Sequence, residues 1–136
     1  MTLDTPLPAL YAGFGCRRGC PADVLDSLLR QALSSQGLPL AALHGIASIS
    51  LKAEEPGLQQ LARRLGLPLV LFDASQLQAF EYALSHRSAL AYSHSGCWGV
   101  AESTALALAH RELGSARLRV TRQSQGPATV ALACGG

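Results

Sequence analysis

Gly13-Phe14-Gly15-Cys16-Arg17-Arg18-Gly19-Cys20-Pro21 is the stretch from which the fold can be worked out. An apolar run at residues 7–12 precedes it and a helical pattern follows from Pro21, which predicts a strand, a tight turn and a helix start. Glycines let the backbone turn sharply and approach a ligand closely. Free N–H groups at a helix start attract anions, and Arg17 and Arg18 add charges suited to carboxylate or phosphate. The stretch predicts either an anion-binding site after the first strand or only a tight turn with solvated arginines.

Strand and helix patterns alternate along the rest of the chain. Apolar residues at helical spacing, with proline and glycine at the ends, predict helices over residues 21–34, 56–65, 76–84 and 100–113. The third of these helices is predicted from a capping box between Ser75 and Gln78. Short apolar runs predict strands at residues 46–51 and 69–72, the second covered on both faces. Residues 85–95 show no regular pattern.

The C-terminal part has a different pattern, with polar and apolar residues alternating over residues 117–122. This period of two, a turn at 123–127 and an apolar run at 128–133 predict an antiparallel hairpin. The order β-α-β-α-β-α-α-β-β then predicts a three-layer α/β/α fold, with a mostly parallel sheet and an antiparallel C-terminal hairpin. We expect one domain over residues 1–136.

Composition excludes several classes of protein. The 136 residues carry a formal net charge of +2, which is too small to imply binding to nucleic acid. Residues 2–8 are polar and interrupted by prolines, unlike a secretory signal, and no apolar run is long enough to span a membrane. We therefore expect a cytoplasmic protein that binds neither nucleic acid nor membrane.

The metal-ligating residue types do not occur at ligand spacing. The four cysteines, which fit neither a small disulfide scaffold nor a zinc knuckle, are Cys16, Cys20, Cys97 and Cys134. The histidines, which share no metal-like spacing, are His44, His86, His94 and His110. We expect reduced thiols, no bound metal and no cofactor.

The unusual residues collect where a ligand is expected. Ligands of such sheets bind beyond the carboxyl ends of the parallel strands, and Lys52, Glu54, Glu55 and Asp73 follow the second and third strands. A second glycine-framed turn, residues 96–99, precedes the last helix. We therefore predict a cleft for a ligand with several anionic groups. The candidate binding residues are Gly15, Cys16, Arg17, Arg18, Gly19, Lys52, Glu54, Gly99 and Glu102.

Several of these residues have a second interpretation. Cys16 is a candidate nucleophile if the helix start and the arginines lower its pKa, but the sequence places no histidine beside it and a small buried thiol is the commoner case. Glu102 is a candidate reacting group, or a charge that simply favours the start of a helix. Lys52 fits a cleft or a solvated loop, and Trp98 fits stacking on a flat ligand or packing.

Three blocks of the sequence resemble a family of cobalamin-biosynthesis proteins, CobE and the C-terminal domain of CbiG. The blocks are GFGCRRG at residues 13–19, SISLKAEEPGL at 48–58 and GVAE at 99–102. The resemblance covers nearly the whole chain, with little at residues 85–98 and at the hairpin tips. It implies a role in corrin-ring synthesis, where relatives of the CbiG type open a ring lactone on a cobalt-precorrin and release a two-carbon fragment.

Three functions follow as hypotheses. The first is binding of a precorrin or corrinoid intermediate, whose acetate and propionate carboxylates suit a cationic cleft, with other enzymes of the pathway as further partners. The second is hydrolysis of a precorrin lactone, with Cys16 or Glu102 as the reacting group. The third is a nucleotide- or phosphate-binding domain, against which the missing G-x-x-x-x-G-K-[ST] and G-x-G-x-x-G patterns count.

Overall fold

A five-stranded sheet runs through the centre of the protein, whose computed structural model describes residues 8–136. Its strands are β1 Leu10–Cys16, β2 Leu43–Ile49, β3 Leu69–Phe72, β4 Arg117–Gln125 and β5 Ala128–Cys134. Their order across the sheet is β3-β2-β1-β5-β4. β2 pairs in parallel with both β1 and β3, whereas β5 pairs antiparallel with both β1 and β4. The predicted mostly parallel sheet with an antiparallel C-terminal hairpin is confirmed.

Helices cover both faces of this sheet. Within residues 8–136 the α-helices are α1 Ala22–Ser34, α2 Pro56–Leu65, α3 Ala74–Leu77, α4 Ala89–Ser95 and α5 Val100–Leu113. As predicted, glycines in the left-handed conformation end α2 and α5, with φ of 68° at Gly66 and 81° at Gly114. No helix in the described part of the chain has the length and apolarity that crossing a membrane requires.

Two apolar cores lie on opposite faces of the sheet. Leu10, Ala12 and Phe14 of β1 pack with α1 and α2. Tyr11, between the first two, packs with α5 and α3 on the other face. Because successive side chains of a strand point to opposite faces, β1 contributes to both cores. The predicted α/β/α layering is confirmed.

Helix α5 lies against β1 at a separation that only glycine permits. A Cβ at Gly13 would collide with the carbonyl oxygen of Ala101 and with Thr104. Gly13 and Gly15 both pair with residues of β5, so these two glycines lie within β1 and not in the turn. The predicted end of the strand at residue 12 is wrong, because β1 continues to Cys16. Residues 1–7, which hold the start of that predicted run and most of the segment weighed as a secretory signal, lie outside the described residues.

The second strand ends earlier than predicted, and the third lies at the edge of the sheet. β2 ends at Ile49 rather than at residue 51, and a 3-10 turn follows over Ser50–Lys52. β3 is an edge strand paired only with β2, and within it only Phe72 is buried. Leu69 packs against the core on one face of the sheet and Val70 against the core on the other, so β3 has cover on both faces although its edge position leaves most of it half-buried.

The segment after β3 begins its helix two residues earlier than predicted. Asp73 is the N-cap of α3 and forms a capping box with Gln76, whose side-chain oxygen accepts a 2.7 Å hydrogen bond from the Asp73 N–H. Asp is as good an N-cap as Ser and lies directly after the strand, so the predicted box at Ser75 is wrong. The helix continues as a 3-10 turn over Gln78–Ala83, and α4 occupies the stretch where no regular structure was predicted.

Candidate functional site

The parallel strands end together at one edge of the sheet, called here the carboxyl edge. β1 ends there at Cys16, β2 at Ile49 and β3 at Phe72. Helices α1, α2 and α3 begin just beyond these ends, and α5 begins beside Gly15 of β1. The tip of the β4–β5 hairpin reaches the same edge, where Pro127 accepts a 2.9 Å backbone hydrogen bond from the residue after Cys16.

The loop between β1 and α1, residues 17–21, is fixed by backbone contacts. The N–H of Cys20 donates to the carbonyl of Arg17 at 3.1 Å, and Gly19 adopts a φ of 80° that favours glycine. The N–H of Gly19 donates to Oε2 of Glu55 at 2.7 Å. A Cβ at Gly57 would collide with the carbonyl oxygen of Cys20, so the start of α2 lies directly against this loop.

Glu55 holds the loop after β1 in place, a role that the sequence did not reveal. It is the N-cap of α2 and only 7% exposed. The available signal was its place just before Pro56, a residue typical of the first helical position. Its carboxylate holds the loop instead of capping its own helix.

A cleft of about 440 Å³ opens between this loop and the turn that follows β2. We call it the first cleft, and its lining residues are Arg18, Gly19, Leu51, Lys52, Glu54, Glu55 and Pro56. A second cleft of about 290 Å³ adjoins it, lined by Ile49, Ser50, Leu51, Asp73, Ala74 and Ser95. The two share Leu51, an apolar side chain that is 67% exposed.

Two cations line the first cleft without a fixed counter-charge. Arg18 is exposed and Lys52 is half-buried. Among residues 8–136, the ion pairs within 4.0 Å involve neither of them, nor Arg17. Arg17 is exposed but does not line the cleft, because its backbone is bonded to the hairpin tip instead. The first cleft therefore holds one arginine and one lysine outside these ion pairs, beside the carboxylates of Glu54 and Glu55.

Cys16 does not have the chemistry expected of a nucleophile. Burial raises the pKa of its thiol from 9.0 to about 11, and the charge of Lys52 opposes this while those of Cys20 and Glu55 add to it. The predicted lowering of the pKa is wrong, because burial of the thiol raises its pKa by more than the charge of Lys52 lowers it. At neutral pH the group is a thiol rather than a thiolate.

Glu102 is buried, and both oxygens of its carboxylate accept hydrogen bonds. Its side chain is 1% exposed. The carboxylate accepts hydrogen bonds from the backbone N–H groups of Ser85 at 2.8 Å, Arg122 at 2.8 Å and His86 at 3.3 Å, and from the Ser85 hydroxyl. Burial alone would raise the pKa of Glu102, but these bonds lower it below its ordinary value. Glu102 thus joins α5 to the segment before α4 and to β4, and it lines neither cleft.

The remaining candidates also serve packing. Gly99 is buried at the N-cap of α5, where a Cβ would lie 3.2 Å from the carbonyl oxygen of His86. Gly15 lies within β1, and its carbonyl accepts a 3.3 Å bond from the Thr129 hydroxyl. Trp98 stacks on Tyr92 with ring centres 4.5 Å apart and planes inclined by 22°, so one of its faces is covered. Of the nine candidate binding residues, the first cleft brings together Arg18, Gly19, Lys52 and Glu54.

The fold and the first cleft define an α/β domain with a charged cleft at the carboxyl edge of its sheet. The chain belongs to the family described as "Cobalamin synthesis G C-terminus", which matches residues 10–133. The resemblance found in the sequence is confirmed, and membership of this family assigns the chain to cobalamin biosynthesis.

Two curated relatives show the range of this family. The chain is 36% identical to Protein CobE of Sinorhizobium sp over 124 residues, which is 91% of this chain and 79% of that protein. It is 45% identical to the cobalt-precorrin-5A hydrolase of Salmonella typhimurium over 73 residues, 54% of this chain. That match spans only 21% of the hydrolase.

Solved structures agree with this assignment. The crystal structure of CobE, a protein from the cobalamin (vitamin B12) biosynthetic pathway, superposes with a TM-score of 0.89 and is 44% identical. The alignment covers 95% of this chain and 94% of that one. The cobalamin biosynthesis protein chiG of Agrobacterium tumefaciens gives a TM-score of 0.71 at 31% identity, over 94% of this chain and 99% of that one.

Proposed function

We propose that this chain binds a corrinoid intermediate of cobalamin synthesis, and that the first cleft holds carboxylates of the ligand. The observation that carries the proposal is the pair Arg18 and Lys52, which line one cleft and have no carboxylate within 4.0 Å among residues 8–136. Precorrins carry acetate and propionate side chains around an apolar macrocycle, so they combine the two surfaces that the clefts offer.

The physical basis is complementarity of charge and polarity. A hydrogen bond between a cation and a carboxylate contributes about 1.5–3 kcal/mol, and a guanidinium can grip both carboxylate oxygens at once. The starts of α1 and α2 flank the first cleft and add partial positive charge. Leu51, exposed between the two clefts, offers an apolar surface to the macrocycle beside these cations.

Binding is tested by mixing the purified chain with hydrogenobyrinic acid and separating the mixture by gel filtration. We expect a coloured complex to elute with the protein, and binding to weaken as salt is added because the contacts are ionic. A protein peak that stays colourless at micromolar protein would overturn the proposal. Calorimetry with ATP and with NAD covers the phosphate-binding alternative, which would gain support from binding at millimolar concentration or below.

Hydrolysis of a precorrin lactone is the second candidate, and the identity with the Salmonella hydrolase favours it. The two residues considered as reacting groups do not support it. Cys16 holds its proton at neutral pH, since its pKa is about 11, and both oxygens of Glu102 already accept hydrogen bonds. A hydrolytic activity of this chain therefore needs another proton-transfer group.

A further inference from the structure

A hydrogen-bonded chain of three side chains lies on the hairpin side of α5, away from both clefts. The Ser85 hydroxyl donates to Oε2 of Glu102 and also lies 2.6 Å from Nδ1 of His86. The same Nδ1 is 4.0 Å from that carboxylate oxygen. Ser85 therefore connects a carboxylate that is 1% exposed to an imidazole that is 50% exposed.

The protonation state of each member follows from counting protons. Glu102 accepts three backbone N–H bonds and is a carboxylate, which can only accept. Ser85 has a single hydroxyl proton, and its bond to Glu102 uses it. The short contact with Nδ1 can then be a hydrogen bond only if Nδ1 carries a proton and donates it to the Ser85 oxygen. In the neutral ring this leaves Nε2 of His86 as the acceptor nitrogen, because the bond at one ring nitrogen sets the tautomer at the other.

The groups around His86 leave Nε2 open to a proton donor, and they would balance the positive charge of a protonated ring. Within residues 8–136, the hydrogen bonds of the His86 ring involve only Nδ1. The ionisable side chains nearest in sequence are Arg87, Tyr82 and Glu81, and the Arg87 guanidinium donates to the Glu81 carbonyl. On the facing β4, Arg122 meets Glu102 through its backbone N–H. If Nε2 took up a proton, the imidazolium would have the Glu102 carboxylate 4.0 Å from Nδ1.

We propose that Glu102 and Ser85 orient the ring of His86, and that Nε2 of His86 is a general base that accepts a proton from a bound water molecule. In this step the O–H bond of water breaks, its electron pair stays on oxygen, and the proton forms an N–H bond with Nε2. Glu102 stays ionised and stabilises the imidazolium through Ser85, as in other carboxylate-oriented histidine bases. The backbone of His86 lies next to Gly99 at the start of α5.

The tautomer of His86 tests the proposed arrangement of Glu102, Ser85 and His86 without any assay of activity. Long-range ¹H–¹⁵N spectra of the uniformly labelled full chain, recorded at a pH where imidazole is neutral, report which ring nitrogen carries the proton. We expect the Nδ1–H form for His86 and the ordinary Nε2–H form for His94, an exposed histidine of α4 that serves as internal control. Ser85→Ala should return His86 to the Nε2–H form. Ser93→Ala should not, because the Ser93 hydroxyl donates to the Leu90 carbonyl and, within residues 8–136, makes no bond to His86.

Reactivity provides a second readout of the same nitrogen. Diethylpyrocarbonate acylates the unprotonated ring nitrogen, and mass spectrometry of digests gives the rate at each histidine. We expect His86 to react several-fold faster than His94, and Ser85→Ala to remove the difference. An Nε2–H tautomer at His86 in the unmodified protein would overturn the proposal that Nε2 is the base, even if Ser85→Ala failed to fold. The tautomer and the acylation rate are measured without a corrinoid, so this inference and the proposed function can fail separately.

Discussion

Oε2 of Glu55 accepts a 2.7 Å hydrogen bond from the backbone N–H of Gly19, and this contact joins the start of α2 to the loop that follows β1. The two residues are 36 positions apart in the chain, and both line the first cleft. The shape of the cleft therefore depends on a carboxylate that is itself buried. The cation Arg18 is next to Gly19 in sequence, and Lys52 lies three residues before Glu55.

Removing this carboxylate is expected to destabilise the protein. Glu55→Ala leaves the Gly19 N–H without its partner, and a lost hydrogen bond to a charged group costs about 1.5–3 kcal/mol. Urea unfolding monitored by circular dichroism measures the change. Glu54→Ala is the matched control, because Glu54 is exposed and an exposed substitution changes stability by roughly 0.5 kcal/mol or less. Equal effects of the two substitutions would show that the Glu55 contact does not hold the loop.

Glu102 is expected to make stability depend on pH in the acid range. Its pKa is lowered in the folded state, so the unfolded chain binds the proton more readily and acid favours unfolding. The contribution is fully present above the ordinary value of 4.5 and is lost as the pH falls through the lower folded value. Unfolding free energies measured from pH 7 downwards should fall less steeply in Glu102→Gln than in the unmodified chain. Parallel curves for the two proteins would contradict the prediction.

Gly13→Ala is expected to be among the most damaging substitutions in the sheet. The added methyl group would meet the carbonyl oxygen of Ala101, which belongs to the backbone of a buried helix and cannot rotate away. Overpacking of this kind costs about 1–3 kcal/mol or more. Gly135→Ala is the control, since a Cβ there finds ordinary van der Waals distances of 3.4 Å or more. Similar urea midpoints for the two variants would disprove the close contact between β1 and α5.

The glycine block shows how far the sequence could be interpreted. Its pattern correctly predicted a strand, a turn and a helix, since proline and glycine mark ends locally. It could not show that Gly13 serves the approach of α5, because that helix lies more than eighty residues later. The position of β3 at the sheet edge was hidden for the same reason. Strand order arises from crossovers, which an apolar run such as residues 69–72 does not encode.

The sequence likewise predicted one part of the candidate site and could not predict another. Arg18 and Lys52 were predicted to share a cleft from their places after consecutive strands, and they do line one. Glu102 was grouped with them because it starts a helix at the same edge. Its side chain turns towards Ser85 and β4 instead, and only tertiary contacts decide that direction. The role of Ser85 and His86 was hidden in a stretch without a regular pattern.

The thiol of Cys16 is expected to react slowly at neutral pH. Burial raises its pKa to about 11, while the charge of Lys52 lowers it. Alkylation by iodoacetamide, followed by mass spectrometry, should therefore accelerate steadily as the pH rises from 7 towards 10. Lys52→Ala removes the lowering charge and should slow the reaction further at every pH in this range. A rate that levels off near pH 7 would mean that Cys16 is a thiolate after all.

Arg18 and Arg17 are expected to contribute unequally to corrinoid binding, although they are adjacent. Arg18 lines the first cleft and Arg17 does not, since the backbone of Arg17 is bonded to Pro127 of the hairpin tip. Loss of one charge-assisted hydrogen bond, about 1.5–3 kcal/mol, corresponds to about ten- to a hundredfold in affinity. We expect Arg18→Ala and Lys52→Ala to weaken hydrogenobyrinic acid binding by this factor, measured by absorbance titration, and Arg17→Ala to have little effect.

The control for this comparison is Arg63→Ala, which removes an exposed arginine of α2 that lines neither cleft. Added salt should reduce the affinity of the unmodified chain more than that of Arg18→Ala, because the variant has one ionic contact fewer to screen. If Arg17→Ala, Arg18→Ala and Lys52→Ala all bind as the unmodified chain does, the carboxylates are not held at the first cleft. The loop after β1 would then be a turn whose glycines and Glu55 contact serve the fold alone.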